Sequence, residues 1–337
     1  MSSDEYFLSL CIQEAWKYQS LTLPNPAVGA MVVDGGGNIL SVCAHTKAGS
    51  AHAEVNALKN AYEKLSYQKC NLADAKEIHH YLKANHQGIF NDCTIYVTLE
   101  PCNHYGKTPP CAELIETIRP KRVVIGSSEI QKQASGGAKR LQDSGIEVVQ
   151  NVLEFECNAL LYPFLCLKER GHFNLFKIAQ RINGDYQSGL ISGMESRVFT
   201  HNQRCVADTL IISGKTLRVD RPTLDVRYCT KEYANTSPNI QILTKEKSFY
   251  DAPLFKVPCR KVDICHQIEH LKLQKGFNVI EGGWDLFESL HSFVDMVLVY
   301  ISPTLKQNIK SKGFEWNAEL LYIQKLGNDG LLWIKKS

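Results

Sequence analysis

The stretches His52-Ala53-Glu54 and Pro101-Cys102, with Cys111 further along, decide how the first half of this 337-residue sequence is interpreted. Zinc prefers nitrogen and sulfur ligands in a tetrahedral arrangement, and a catalytic site keeps one of the four positions open for water. One histidine and two cysteines supply three ligands and leave that position open. Glu54 lies at a predicted helix start, where its carboxylate can reach the same water and transfer its protons. We therefore predict His52, Cys102 and Cys111 as zinc ligands and Glu54 as the proton-transferring residue.

The pattern His-x-Glu followed by Pro-Cys is typical of zinc-dependent nucleobase deaminases, in which a second cysteine follows after two further residues. Here eight residues separate Cys102 from Cys111, so the second cysteine must come from the next helix start. Two other interpretations stay open at this point. His104 would be a fourth ligand if the zinc were structural, and a zinc module without enzymatic activity would not depend on Glu54.

Helix and strand patterns alternate around these motifs along residues 1–150. Apolar residues recur at helical spacing over 5–19, and helices are also predicted from 52 onward, over 111–118 and over 137–143. Short apolar runs predict strands over 28–33, 39–43, 95–99, 122–125 and 146–149. This alternation predicts a three-layer α/β domain. Residues 63–91 are predicted to be an inserted, solvated helical surface that includes His79, His80 and His86.

A second alternation follows a connecting helix predicted over 153–169. Its strands are predicted over 174–179, 209–212, 240–243, 278–280 and 296–301, with helical or irregular segments between them. We therefore predict a second α/β domain over residues 151–337.

Bulk composition excludes several classes of protein. A net charge of +3 is too small to indicate a nucleic-acid or membrane binder. No apolar run approaches the ~18–20 residues that cross a bilayer, and the first ten residues lack a secretion signal. We expect a cytoplasmic protein, in which most of the twelve cysteines are small buried thiols rather than disulfide partners.

The string Thr98-Leu99-Glu100-Pro101-Cys102-Asn103-His104-Tyr105-Gly106-Lys107-Thr108-Pro109-Pro110-Cys111 resembles the deaminase motif of the bifunctional riboflavin-biosynthesis deaminase–reductases. Pro24-Asn25-Pro26-Ala27-Val28-Gly29 and the stretch from His45 to Glu54 are also similar to that family. The resemblance implies a cytidine-deaminase-like fold that uses Zn²⁺ to deaminate 2,5-diamino-6-(5-phosphoribosylamino)pyrimidin-4-one. It also implies substrate contacts from Asn25, His45, His104 and Lys107.

The second half resembles the reductase of the same family, which is related in fold to dihydrofolate reductase. The matching pieces are 176–179, 182–184, 192–196, 216–227, 281–283 and 294–303. The resemblance implies that NADPH reduces the ribosyl group to ribityl, and that the chain is a homo-oligomer through this domain. Substrate contacts are expected from Ser196, Arg204, Arg227 and Glu281. The two arginines are expected at the substrate phosphate because guanidinium groups suit phosphate oxygens, and Ser196 and Glu281 follow from the resemblance to the family. Cofactor contacts are expected from Lys177, Ala179, Thr216, Asp220, Gly282 and Gly283.

Three departures from the reductase pattern leave its activity open. Arg181 and Asn183 stand where the family has Ser and Asp, Val198 replaces a tryptophan, and the stretch between Thr200 and Arg204 is short. An alternative is therefore a deaminase whose degenerate C-terminal domain only binds ligand or supports oligomerisation. A nucleic-acid deaminase is disfavoured by the weak charge and by the lack of an evident aromatic–basic face.

Overall fold

The structure, a computed structural model, describes residues 1–106, 108–129, 131, 133–187, 189–247, 251–306 and 315–337. These residues form two compact units, Met1–Tyr162 and Pro163–Ser337. No helix in the described ranges is long and apolar enough to span a membrane.

The first unit is built on a five-stranded sheet in the order β2-β1-β3-β4-β5. Strand β1 is antiparallel to both of its neighbours, and β3, β4 and β5 run parallel. The carboxyl ends of β3 and β4 therefore meet at one edge, where loops carry functional side chains. The elements are α1 Ser3–Trp16, β1 Gly29–Val33, β2 Ile39–Ala44, α2 Ala53–Ser66, α3 Ala75–Asn85, β3 Thr94–Leu99, α4 Cys111–Ile118, β4 Arg122–Ser127, α5 Gly137–Asp143 and β5 Glu147–Val149.

Helices α1 and α2 pack on the antiparallel part of this sheet. Helix α1 begins with a capping box between Ser2 and Glu5 and buries an apolar face that includes Leu8 and Trp16. It lies so close to β1 that a Cβ at Gly29 would be 2.0 Å from the carbonyl oxygen of Cys11. Only glycine fits at that position, which holds the sheet against the helix.

One prediction about the inserted segment 63–91 is wrong, namely the placement of His79 on a solvated surface. The segment forms helix α3 as expected, and His80 is exposed. His79 is only 2% exposed, however, so it does not belong to the solvated surface predicted for it. The reason is that α3 packs with one face on α2 and α4, and His79 lies on that face. The amphipathic spacing of the segment defines such a face, but it does not identify the neighbour that covers it.

The second unit is an eight-stranded sheet in the order β12-β13-β11-β6-β10-β7-β8-β9. The six strands from β11 to β9 are parallel, and β13 is antiparallel to β11 and β12. Its elements are α6 Glu154–Arg170, which begins in the first unit, β6 His172–Arg181, α7 Met194–Val206, β7 Thr209–Ser213, α8 Gly214–Asp220, β8 Asn239–Leu243, β9 Val262–Cys265, β10 Gly276–Glu281, α9 Trp284–Leu290, β11 Met296–Ser302, β12 Ala318–Leu326 and β13 Asp329–Lys336. The core lies against the central strands and includes Phe176, Ile211, Ile280 and Phe287, none of which is exposed.

The hairpin of β12 and β13 was not predicted from the sequence. Strand β12 lies at the edge of the sheet and mixes exposed apolar residues, Leu320 and Ile323, with polar ones. An edge strand of this kind lacks the continuous apolar run that marks the central parallel strands.

Candidate active sites

His52, Cys102 and Cys111 come together although three separate segments carry them. His52 is the residue before helix α2, Cys102 lies in the loop after β3, and Cys111 is the first residue of α4. The Nδ1 atom of His52 is 3.6 Å from Sγ of Cys102 and 3.3 Å from Sγ of Cys111. A tetrahedral zinc ion bound at ordinary lengths separates its nitrogen and sulfur ligands by about 3.6 Å. The three side chains therefore fit zinc in both donor type and spacing.

Two polar contacts orient these ligands. Oγ1 of Thr108 lies 3.4 Å from the other ring nitrogen of His52, Nε2. The backbone N–H of Cys111 donates to Sγ of Cys102 at 3.4 Å. Contacts of this kind fix the ring orientation and the basicity of metal ligands. Before the structure, Thr108 was marked only by its place in the string from Thr98 to Cys111.

Glu54 lies in the first turn of α2, two residues after His52, and is only 4% exposed. Burial raises the pKa of its carboxyl to about 6, and the nearby Cys102 acts in the same direction. A carboxyl with a pKa close to neutrality can both accept and return a proton, which suits a general acid–base residue.

Glu100 fixes the loop that carries Cys102, and the sequence reasoning missed it. Its buried carboxylate accepts three backbone N–H groups, from Glu129 at 3.0 Å, Gly136 at 3.1 Å and Ala138 at 2.9 Å. Gly137 lies beside this loop, where a Cβ would be 1.9 Å from the carbonyl oxygen of Pro101. The Gly-Gly pair at 136–137 was the available signal, because a close backbone approach requires glycine.

The four residues expected to contact the deaminase substrate are placed differently from one another. Nδ2 of Asn25 lies 3.1 Å from Nε2 of His45, and Nδ1 of His45 lies 3.1 Å from the carbonyl oxygen of Ala51. His45 is only 3% exposed, with its ring 5.5 Å from that of His52, and burial lowers its pKa to about 4. Asn25 and His45 thus adjoin the zinc ligands. His104 is exposed and is not in the ligand cluster found among the described residues, and Lys107 lies outside those residues.

The second unit holds a cavity of about 470 Å³ at the carboxyl ends of β6, β7 and β10. Ligands bind at this edge of parallel sheets. The predicted residues that line it are Lys177, Ala179, Arg204, Thr216, Asp220, Arg227, Glu281, Gly282 and Gly283. Ser196 does not line it. That side chain is buried in α7 and donates to Oδ2 of Asp329 at 2.6 Å.

Arg204 and Glu281 form a buried bidentate ion pair beside this cavity. Both nitrogen–oxygen distances are 2.7 Å. Burial favours a raised pKa for Glu281, but Arg204 outweighs it and lowers the pKa to about 2. The guanidinium group also donates to the carbonyl oxygen of Asp225 at 3.1 Å. The guanidinium group of Arg204 is therefore already hydrogen-bonded to acceptors within the protein.

Two other arginines face the same cavity. Arg227 pairs with Asp225 at 2.8 Å, and half of its side chain is exposed. Arg197, which was not predicted, holds its guanidinium 4.5 Å from the centre of the Tyr228 ring. An arginine stacked on an aromatic ring keeps its in-plane donors available for an anion. Arg197 was not predicted from the sequence, because its position matches none of the residues expected at this site.

A larger cavity of about 1030 Å³ adjoins the first and shares Tyr186, Thr216, Asp220 and Gly283 with it. A Cβ at Gly283 would be 2.3 Å from the Tyr186 ring, so the backbone there requires glycine. Of the departures from the family pattern, Arg181 is the last residue of β6, Asn183 lies in the turn after it, and Val198 lies in α7. Arg181 pairs with Asp185, and Asn183 donates to the carbonyl oxygen of Lys306 at 2.6 Å.

Comparison with known proteins covers both units. Residues 1–127 match the family described as the cytidine and deoxycytidylate deaminase zinc-binding region. Because this segment carries the His–Cys–Cys cluster, the match confirms the predicted zinc cofactor. Among curated proteins, the riboflavin biosynthesis protein RibD of Aquifex aeolicus is 29% identical, and the alignment covers 99% of this chain and 98% of that protein. RibD of Mycobacterium tuberculosis is 28% identical, with 88% of this chain and 84% of that protein covered.

Two solved structures share the fold along the whole chain. Acinetobacter baumannii RibD has a TM-score of 0.63 at 24% identity, with 99% of both chains covered. A Thermotoga maritima diaminohydroxyphosphoribosylaminopyrimidine deaminase/5-amino-6-(5-phosphoribosylamino)uracil reductase has a TM-score of 0.64 at 22% identity, again with 99% of both covered. The predicted two-domain α/β fold class is thereby confirmed. The full-length matches also do not favour the deaminase-only alternative. The chain is therefore similar, along nearly its whole length, to the bifunctional riboflavin-biosynthesis deaminase–reductases.

Proposed function

We propose that this chain catalyses two reactions of riboflavin biosynthesis with separate sites. Residues 1–150 deaminate 2,5-diamino-6-(5-phosphoribosylamino)pyrimidin-4-one hydrolytically, and residues 151–337 reduce the ribosyl group of the product to ribityl with NADPH. The observation that carries the proposal is the convergence of His52, Cys102 and Cys111 within one zinc ion's reach, beside buried Glu54.

In the first site, His52, Cys102 and Cys111 would hold zinc, which would supply Lewis acidity that activates water when the ion is bound. Glu54 accepts a proton from the attacking water and returns it to the amino group that leaves as ammonia. Asn25 has its amide nitrogen directed at His45, so its carbonyl oxygen is the group that remains to accept a hydrogen bond from the pyrimidine or ribose.

In the second site, NADPH supplies the hydride, and the protein's task is to orient the nicotinamide against the sugar carbon. The larger cavity has room for a dinucleotide, and the smaller one next to it for the substrate. We assign the cofactor to Thr216, Asp220 and Gly283 at the shared wall, with Gly282 beside them in the smaller cavity. Arg197 and Arg227 would contact the substrate phosphate, and the Arg204–Glu281 pair would form a fixed polar wall.

The direct experiment supplies the purified chain with the diaminopyrimidine phosphate, with and without NADPH, and identifies the products by mass spectrometry. Without NADPH, the expected product is the deaminated ribosyl compound and one equivalent of ammonia. With NADPH, the ribityl compound accumulates with matching loss of nicotinamide absorbance. Ammonia release without any NADPH oxidation would support a deaminase with an inactive second unit and would overturn the second half of the proposal.

Two wider expectations belong to the same proposal. We propose a homo-oligomer formed through the second unit, for which the exposed edge strand β12 provides an unpaired sheet edge among the described residues. Light scattering of the intact chain would test it, because a monomer at micromolar concentration contradicts it. We also propose a cytoplasmic location, which fractionation of the source cells would test.

A further inference from the structure

Helix α3, which is part of the inserted segment 63–91, contacts both helices that begin at zinc ligands. On α2, the helix that follows His52, Tyr62 packs edge-on against Tyr81 of α3 with ring centres 5.5 Å apart. On α4, the helix that begins with Cys111, Glu113 forms an ion pair with Lys83 of α3. The insertion therefore joins two elements whose relative position sets the distance between two zinc ligands.

His79 makes the contact nearest to the zinc ligands. Its Nε2 atom lies 3.2 Å from the carbonyl oxygen of Pro110, the residue that precedes Cys111. Since a carbonyl oxygen only accepts hydrogen bonds, Nε2 must carry the hydrogen. The ring is 2% exposed, and its Nδ1 atom is buried with no partner in the described part of the chain. The side chain is thus held for one hydrogen bond, from Nε2–H to Pro110.

That hydrogen bond acts on a peptide group that also contacts the zinc centre. The carbonyl of Pro110 and the N–H of Cys111 belong to the same planar peptide unit. The carbonyl end accepts from His79, and the N–H end donates to Sγ of Cys102 at 3.4 Å. Hydrogen bonds at the two ends of one peptide polarise each other and fix its orientation. The peptide plane in turn determines where the side chain of Cys111 starts.

We propose that His79 is a positioning residue for the zinc centre, and that the inserted helix serves to hold the Pro110–Cys111 peptide in place. His79 contacts neither substrate nor metal. It acts through one peptide group that orients Cys111 and donates to Cys102. The inference rests on the proposed zinc-dependent function of the first unit. Losses of outer partners at zinc sites typically lower metal affinity or activity by about 10- to 100-fold, and we expect an effect within that range.

The test compares three variants of the intact chain. His79→Phe keeps a buried ring but cannot donate, whereas His79→Gln retains an N–H donor at about the same reach. His80→Phe places the same new ring at the exposed neighbouring position and is the matched control. The first measurement is the rate at which zinc passes to a coloured chelator well below the unfolding temperature. The second is the visible spectrum of the Co²⁺-substituted protein, whose bands report thiolate ligation and ligand geometry.

We expect zinc release to be roughly 10-fold or more faster in His79→Phe, with shifted Co²⁺ bands. His79→Gln should restore most of the wild-type behaviour, and His80→Phe should match wild type. Equal zinc release and identical Co²⁺ bands in His79→Phe and wild type would overturn the inference. The inference would also be overturned if His79→Gln released zinc as fast as His79→Phe, because the N–H donor would then have no effect. A wild-type chain that holds no zinc would instead refute the proposed function, so the two failures are distinguishable.

Discussion

The zinc centre and the cavity of the second unit are organised in different ways. Three short segments bring the zinc ligands together, and each ligand lies within three residues of the end of a helix or strand. In the second unit, the cavity is shaped by contacts between residues far apart in the chain, such as Arg204 of α7 and Glu281 of β10. Chemistry that needs specific metal ligands requires particular residue types at particular positions in the sequence. A cavity that positions two organic molecules can instead be lined by many combinations of residues. Single substitutions should therefore cause large losses of activity at the first site and smaller, graded losses at the second.

Replacing Glu54 tests the first site and has the largest expected effect. Glu54→Gln keeps the shape of the side chain but removes the group that transfers protons, which typically contributes about 10²- to 10⁴-fold to the rate. Ammonia release should fall by that factor, while zinc content and the reduction of pre-deaminated substrate stay unchanged. Deamination within a few-fold of wild type would show that Glu54 does not carry the proton.

Breaking the buried ion pair tests whether the second unit depends on long-range contacts. Glu281→Ala leaves the guanidinium of Arg204 buried without its carboxylate, which typically costs about 3–5 kcal/mol. The free energy of unfolding of the second unit, measured with denaturant, should fall by this amount. Arg227→Ala breaks the half-exposed pair with Asp225 and should cost less than about 1 kcal/mol. Equal losses in the two variants would contradict the account of the buried pair.

Arg197 tests the smaller, graded losses expected at the second site. A hydrogen bond to a charged group contributes about 1.5–3 kcal/mol, so Arg197→Gln should raise KM for the phosphorylated intermediate roughly 10- to 100-fold with little change in kcat. The same variant should bind the dephosphorylated intermediate as weakly as wild type does, because the lost contact is absent there. Arg218→Gln, whose partner is Glu246, is the matched surface control. A change of equal size for both substrates would assign Arg197 a structural role only.

The pH dependence of stability gives the smallest expected effect when it is measured as a slope over one pH unit. Glu281 has a pKa of about 2 in the folded chain against an ordinary 4.5. Its contribution to stability is therefore complete above pH 4.5 and is lost as the pH falls towards 2. Between pH 4.5 and pH 2, the free energy of unfolding should fall more steeply with falling pH in wild type than in Glu281→Gln. The difference between the two slopes should correspond to at most about one proton taken up on unfolding. Parallel pH profiles would contradict the assigned pairing.

The two regions also differ in what sequence alone could predict. The zinc ligands, the helix that begins at Cys111 and all the parallel strands except β9 were predicted, because local spacing and apolar runs encode them. The partners that orient the ligands were not, since Thr108, Glu100 and His79 act through contacts formed only after folding.

In the second unit, the missing information was mostly long-range. Ser196 was expected at the substrate, but it lies in α7 with its hydroxyl on Asp329, 133 positions away in the chain. Arg204 was expected to be available for phosphate, but its nitrogens donate to Glu281 and to the carbonyl oxygen of Asp225. Burial of an arginine beside a carboxylate on a neighbouring strand depends on how the helix crosses the sheet, which residue spacing does not specify.

The central claim is that one chain holds two chemically independent sites, and removal of the metal tests it most directly. The chain is treated with a zinc chelator, and both half-reactions are then measured separately, with ammonia release for the first and NADPH oxidation by pre-deaminated substrate for the second. We predict that ammonia release disappears and returns when Zn²⁺ is added back, while NADPH oxidation continues at the original rate throughout. Loss of both activities together, or deamination that persists without zinc, would contradict the account.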